Sequence, residues 1–340
     1  MKRVTCAGIL VADLIAADLP RVSPPGGITF TRRAIEAHLG GHAANVSADL
    51  MRLGMKPGEV SCVGGVGNDP FADFFEKALA GEGVELNLQR TNRARTSVDL
   101  ILVVTGEDRR YHVGVGASYY FSPDFVVRAV RQDRPAVFYA GGVGLMEKFD
   151  HGLADVLREV KRLGCLTFVD PVMPYNKTWH FLRKALRWTD IFHCNDVEAL
   201  SLTRKTDLTS AVELLLDSGP ELVLVSRGSK GLTAATPGRR LSMGGFRVRT
   251  LDPTGAGDAF CAGFIRRTVL KLKSRRASGL DWTDDELADA LLDAEASGAA
   301  CVTGIGTTSA VSRGKVDRLL AAQKADVMKT VRIESTAEAS

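Results

Sequence analysis

The segment Leu251-Asp252-Pro253-Thr254-Gly255-Ala256-Gly257-Asp258-Ala259-Phe260 holds the residues best suited to chemistry. A glycine-rich turn feeds straight into a stretch that is apolar on every side from Ala259 to Ile265, and polar residues return only at Arg266. A helix of that composition must enter the core N-terminus first. Its leading N–H groups then lack partners and attract an anion. Gly255 and Gly257 let the backbone wrap closely around that anion. Asp258 falls in the first turn, where the helix field favours the charged carboxylate. Amide donors with a carboxylate beside them suit phosphoryl transfer: the donors hold developing charge, and the carboxylate takes the attacking hydroxyl's proton.

A lone Gly-x-Gly is more often a plain tight turn, and the spacing recurs from Gly65, Gly114, Gly142 and Gly304. None of these completes GxGxxG, so the dinucleotide fingerprint of a NAD-dependent dehydrogenase is missing. There is no GxxxxGK[ST] loop, HRD or DFG either, which disfavours P-loop NTPases and protein kinases.

The elements around the turn alternate. Val4–Val11, Val60–Val63, Ala136–Ala140, Leu166–Val169, Asp190–His193 and Leu222–Ser226 read as short buried strands. Helices are expected at Ala43–Leu53, Pro70–Leu79, Pro123–Val130, Leu153–Leu163, Lys177–Leu186, Asp196–Leu202 and Ser210–Leu216. Thr283-x-x-Glu286 has capping-box form and starts a helix from Asp284 to about Cys301, whose end, Ala294–Ala300, is nearly all small residues. This rhythm predicts a single α/β domain over 1–325: a doubly wound, mostly parallel sheet with helices on both faces. Ser23–Arg33 and Thr96–Val115 break it, the second reading as two strands around Gly106-Glu107-Asp108. They predict a small β lid from segments of about 14–35 and 92–117. Residues 326–340 turn polar and are expected to form a flexible tail.

Composition excludes little beyond the extremes. Of 340 residues, 45% are apolar and 25% charged, as in ordinary globular chains, and the net charge of +4 implies neither a nucleic-acid nor a membrane partner. Six basic residues between Arg266 and Arg276 read as a solvated helix end. The N-terminus runs into a strand broken by Asp13 rather than into a secretory signal. The six scattered cysteines show no metal-ligand spacing and read as reduced thiols, so a cytoplasmic location is expected. The six histidines show no pairing at ligand spacing and are assigned no role.

Asp252–Asp258 closely resembles the C-terminal signature of the ribokinase-like (phosphofructokinase B, PfkB) carbohydrate and nucleoside kinases, and Gly40-Gly41-His42-Ala43-Ala44-Asn45 resembles their N-terminal diglycine signature. Asp13, Asn195-Asp196-Val197-Glu198 and Ser226-Arg227-Gly228-Ser229-Lys230-Gly231 follow in family order, so the resemblance spans Asp13 to about Thr307. The resemblance implies roles for matching positions. Asp258 would be the catalytic base, with Gly255, Ala256 and Gly257 as the anion hole. Asp13, Gly40, Gly41 and Asn45 would hold substrate hydroxyls. Asn195 and Glu198 would lie near the nucleotide phosphates and Mg2+, and Ser226, Gly228 and Gly231 would cradle those phosphates of ATP. Asp252 and Thr254, opposite the Ala300–Gly306 loop, would take a monovalent cation such as K+.

The implied activity is an ATP-dependent transfer to a hydroxyl of a small neutral sugar or polyol. Asp170-Pro171-Val172-Met173-Pro174-Tyr175-Asn176-Lys177 places no arginine for an anionic substrate, although Arg109 or Arg110 on the lid could reach in. A nucleoside is the alternative, with Phe30, Tyr119, Tyr120 and Phe121 as stacking partners. A non-catalytic sugar-binding regulator of the same fold would have no need of Asp258. Open lid edges would allow a homodimer through the lid.

Overall fold

The computed structural model describes residues 3–107, 109–274 and 280–335. The chain opens with β1 (Val4–Gly8), whose five residues are all buried, as expected of a strand paired on both sides. It turns at once into β2 (Val11–Leu19) and returns through β3 (Glu36–Gly40). Next come α1 (His42–Arg52), β4 (Val60–Gly67), α2 (Pro70–Gly81) and β5 (Glu85–Thr91). Asp69 caps α2 and Pro70 opens it, a start signal plain in the sequence. The hairpin β6 (Ser97–Val104) and β7 (Arg110–Gly114) follows, then α3 (Pro123–Asp133), β8 (Val137–Val143), α4 (Glu147–Arg162) and β9 (Leu166–Pro171). The succession continues with α5 (Leu182–Leu186), β10 (Ile191–Asn195), α6 (Asp196–Thr203), α7 (Leu208–Asp217), β11 (Leu222–Ser226), β12 (Leu232–Thr236) and β13 (Arg239–Met243). The chain closes with α8 (Ala256–Ser274), α9 (Asp284–Cys301), α10 (Arg313–Met328) and β14 (Arg332–Ser335).

Ten strands form one sheet in the order β14-β13-β12-β11-β10-β9-β8-β1-β4-β5. Pairing is parallel from β5 to β11 and antiparallel from β11 to β14. Strand order reverses at β1, which has β4 on one side and β8 on the other. Ligands of such sheets bind at this switch point, beyond the strands' carboxyl ends. Two cores lie on opposite faces: α1, α2, α8, α9 and α10 pack one, and α3 to α7 the other. Helix α8 enters N-terminus first, with Phe260, Cys261, Phe264 and Ile265 all buried. The small residues of α9 do admit a close neighbour: a Cβ on Gly263 would come 2.9 Å from Ala294 Cα.

The lid is a separate four-stranded sheet in the order β3-β2-β6-β7. Its apolar clusters are small, with Ile15, Ala17 and Ile101 in one and Ala16, Leu19 and Val104 in the other.

Several expected elements are corrected. Val4–Val11 is not one strand, because the chain leaves the main sheet after Gly8 and joins the lid at Val11. Ser23–Arg33 forms no strand. The lid uses residues on either side of it, so its strands span 11–40 and 97–114. Lys177–Leu186 is helical only from Leu182, after a 3-10 turn at Trp179–Phe181; Asn176 takes a left-handed φ of 53°. The expected flexible tail is ordered through Ser335, because β14 pairs with β13; residues 336–340 lie outside the described residues. So do Asp108 of the lid turn and Arg275 and Arg276 of the basic run. Within that run Arg266 pairs with Asp293, and Lys271 with Glu286. Among the described residues no helix is long and apolar enough to cross a membrane.

Candidate active site

Beneath the lid lies a cleft of about 600 Å³, between the ends of β1, β9, β10 and β11 and the start of α8. It collects Asp13, Gly41, Asn45, Asn195, Glu198, Ser226, Thr254 and Gly255 to Asp258 from distant parts of the chain. Gly40 and Asp252 flank it, and Gly228 lies in an adjoining cavity.

Asp258 sits in the first turn of α8. Its Oδ2 accepts from Asn45 Nδ2 at 2.8 Å, while its Oδ1 is buried without a partner among the described residues. Asn45 Oδ1 in turn lies 2.9 Å from the Thr307 hydroxyl. One carboxylate oxygen is therefore fixed, and the other keeps its lone pairs for an incoming O–H. The helix field was expected to favour the charged carboxylate of Asp258. Burial instead raises its pKa above the usual carboxylate range, against the lowering effect of His42.

Gly255 makes the turn possible. Its φ is +80°, and a Cβ there would come 2.4 Å from the Thr307 carbonyl oxygen. At the other signature, a Cβ on Gly40 would lie 2.3 Å from the Asp13 carboxylate, so the missing side chain is the space the carboxylate occupies. Asp13 itself is pushed up to about 8, first by burial and then by Asp99, Asp258 and Asp252. Asp99 stands directly across from it in the β2–β6 register and accepts the His112 N–H at 2.9 Å.

Asn195 caps α6 in a full capping box: Glu198 N–H donates to Asn195 Oδ1 at 2.8 Å, and Asn195 N–H to Glu198 Oε2 at 2.9 Å. Capping and cleft lining coexist here, because both residues also face the cavity. In the 226–231 loop, Arg227 N–H closes on the Gly231 carbonyl at 2.7 Å. Asp252 Oδ1 receives the Thr254 N–H at 2.8 Å, and its Oδ2 the Gly306 N–H at 3.0 Å. The Arg109 guanidinium also reaches Asp252 and Thr254 from the lid. Asp252 and the Ala300–Gly306 loop thus face one another.

Sequence reasoning passed over His42, Asp99, Asp170 and His193. Asp170, at the end of β9, accepts from the Tyr139 hydroxyl at 2.7 Å and from His193 Nδ1 at 2.8 Å. His193 Nε2 lies 3.2 Å from Ser226 Oγ, and the ring stacks on Phe260 at 5.1 Å. Because a carboxylate only accepts, His193 donates from Nδ1 and keeps its orientation toward Ser226. Burial acts to raise Asp170, but His193 and His42 hold it below the usual carboxylate range. For His42 burial is opposed and outweighed by Asp258, Asp170 and Glu198, which raise it. A legible signal did exist: Asp170 and His193 are polar residues at the carboxyl ends of otherwise apolar strands.

Comparison with known proteins agrees with this geometry. The sequence matches the pfkB family carbohydrate kinase profile over residues 1–313. It is 27% identical over 273 residues to a ribokinase of Haemophilus influenzae, spanning 78% of this chain and 84% of that one. It is also 27% identical over 288 residues to the aminoimidazole riboside kinase of Salmonella typhimurium, spanning 80% and 84%. The structure of ribokinase from Giardia lamblia superposes with a TM-score of 0.80 at 21% identity, covering 94% and 99% of the two chains. Fructokinase with bound ATP from Xylella fastidiosa gives 0.79 at 22%, covering 95% and 100%. The fold is ribokinase-like, and fold and relatives together define an ATP-dependent carbohydrate kinase. The chain belongs to the pfkB family.

Proposed function

We propose that this kinase transfers the γ-phosphoryl group of ATP, with magnesium, to a hydroxyl of a small neutral sugar or polyol. The observation that carries this reading is the polar lining of the cleft. Asp13, Asp99, Asp170 and Asp258 face it, none of its lining residues is an arginine or a lysine, and the nearby guanidinium of Arg109 is engaged by Asp252. Carboxyl groups pair with hydroxyls, and no cation of the lining is placed to neutralise an anionic group, so sugar acids and sugar phosphates fit poorly. With its pKa near 8, Asp13 carries both a proton and lone pairs at neutral pH and can give and take hydrogen bonds with a vicinal diol.

ATP supplies the phosphoryl group, and magnesium neutralises charge on its oxygens. The N–H groups of Gly255, Ala256 and Gly257 would hold the transferring phosphoryl, with Ser226, Gly228 and Gly231 along the remaining phosphates. Asn195 and Glu198 offer the hard oxygen chemistry that suits water-mediated magnesium; the capping box leaves Glu198 Oε1 outside its pairing. Asp258 Oδ1 takes the hydroxyl proton while Asn45 holds Oδ2. The Ala300–Gly306 loop facing Asp252 and Thr254 supports a monovalent cation there, so turnover should be faster in potassium than in tetramethylammonium.

A nucleoside is the second reading, favoured by the aminoimidazole riboside kinase relative and by Tyr111, which lines the cleft. Phe30, Tyr119, Tyr120 and Phe121 are not among the lining residues. The test is ADP release on a panel of neutral sugars, polyols, sugar acids, sugar phosphates and nucleosides. The expected strong responder is a neutral sugar or polyol, and Asp13→Asn should raise its KM by about tenfold to a hundredfold through lost paired hydrogen bonds. A response confined to anionic sugars or to nucleosides would overturn the substrate class.

Six buried free thiols fit the cytoplasmic location expected. The exposed edge strand β7 supports pairing of two lids; sedimentation that shows only monomer at micromolar concentration removes that dimer.

A further inference from the structure

A cavity of about 300 Å³ lies against the antiparallel end of the large sheet and shares no lining residue with the cleft. Strand register sets its polar wall. Thr233 of β12, Ser242 of β13 and Arg332 of β14 stand across from one another, and Arg240 of β13 stands across from Glu334 of β14. Residues two apart share a face, so these five project the same way, and Arg227 joins them from just past the end of β11. Three arginines against one glutamate leave two positive charges in excess. Arg240 Nε donates to Glu334 Oε2 at 3.2 Å, but one of its terminal nitrogens is buried without a partner among the described residues. Arg332 donates through one nitrogen to the Lys329 and Val331 carbonyls, both at 2.9 Å. The Arg227 guanidinium has no partner among the described residues, and its Nε is buried. Buried donors that lack an acceptor are costly, and the unfilled volume beside them is this cavity.

We propose that this cavity binds a phosphate dianion, free or as a small phosphate monoester, and that filling it tightens the hold of the 226–231 loop on ATP. Guanidinium forks match the oxygens of a phosphate, and the Thr233 and Ser242 hydroxyls can donate to the remaining ones. Two excess positive charges suit a dianion better than a monoanion or a neutral sugar. The coupling rests on the kinase reading above, which places Ser226 and Gly228, the neighbours of Arg227, along the nucleotide phosphates. Arg227 also closes that loop, since its N–H donates to the Gly231 carbonyl at 2.7 Å. A dianion held by the Arg227 side chain therefore anchors the loop in its closed shape, and a loop ordered beforehand binds its ligand more tightly.

The test is calorimetric titration of inorganic phosphate, and separately of glycerol 3-phosphate, into the full chain with its cleft filled by magnesium and the β,γ-imido analogue of ATP. Wild type should bind one equivalent with a Kd of about 1 mM or tighter. The tighter of the two ligands tells whether the free or the esterified ion is preferred. Arg227→Met and Arg332→Met should each weaken binding at least tenfold, while Asp258→Asn should bind phosphate like wild type. Saturating phosphate should raise the analogue's affinity at least threefold, and the analogue should raise that of phosphate by the same factor. This gain should vanish in Arg227→Met. Should that variant fail to fold, Arg332→Met, on the exposed strand β14, decides for the site. No binding of either ion, binding unchanged in both arginine variants, or equal displacement by chloride would overturn the site. Unchanged analogue affinity at saturating phosphate would overturn the coupling. Phosphate binding in a protein that fails to bind the analogue would support the site and overturn the kinase reading instead.

Discussion

Asp258→Asn should lower kcat by about a thousandfold, within the range that a positioned general base contributes, while sugar and nucleotide affinities stay within about threefold of wild type. The amide can still accept from Asn45 through its own oxygen, so the geometry of α8's first turn survives. What is lost is the partner-free oxygen that receives the proton. The same assignment fixes a pH dependence. The base works only when deprotonated, and burial raises its pKa. The rate should therefore climb with pH through a limb lying above the ordinary carboxylate range, and that limb should vanish in the asparagine variant. Single-turnover rates and equilibrium binding measured side by side separate the two effects. Near-normal turnover in Asp258→Asn would remove the residue from the chemistry.

Gly255→Ala should be nearly as damaging, although it removes no polar group from the site. The new methyl would require a left-handed φ of +80° and would press on Thr307, whose carbonyl oxygen lies 2.4 Å from the Cβ position. Strain and overpacking together cost about 3 kcal/mol or more. Thr307 stands behind Asn45, and Asn45 holds Asp258. A shift of a few tenths of an ångström thus passes through two hydrogen bonds to the reactive carboxylate. A lowered melting temperature together with a kcat reduced at least a hundredfold is expected. A variant that melts and turns over like wild type would mean that the 255 turn is far softer than its contacts imply.

The parts of the molecule that were legible in the sequence are those governed by short-range rules. The Asp69 cap with Pro70, the Thr283–Glu286 box and the glycine turn before Asp258 each carry their instruction within a few residues. Both lid segments were legible in the sequence, but only the hairpin was legible as strands. β2 joins it by pairing with β6 and β3 by pairing with β2, and β2 follows β1 so closely that the two looked like one apolar run. The basicity of Asp258 was legible only in part for a related reason. A local helix-end effect is visible in sequence, whereas the burial that overrides it comes from α1 and the neighbouring strand ends. Asp99 enters the cleft through strand register, which no spacing along the chain encodes.

The seam between the two sheets has a kinetic consequence. β1 ends at Gly8 and β2 begins at Val11; β3 ends at Gly40 and α1 begins at His42. Asp13 therefore rides on the lid while Asn45 is anchored in the body, on opposite sides of a junction only one or two residues long. A polyol held by both is a cross-tie between two bodies, and its escape requires them to part. Residence time would then be set by how often that junction swings, and a slowly exchanging ligand need not be a strongly attracted one.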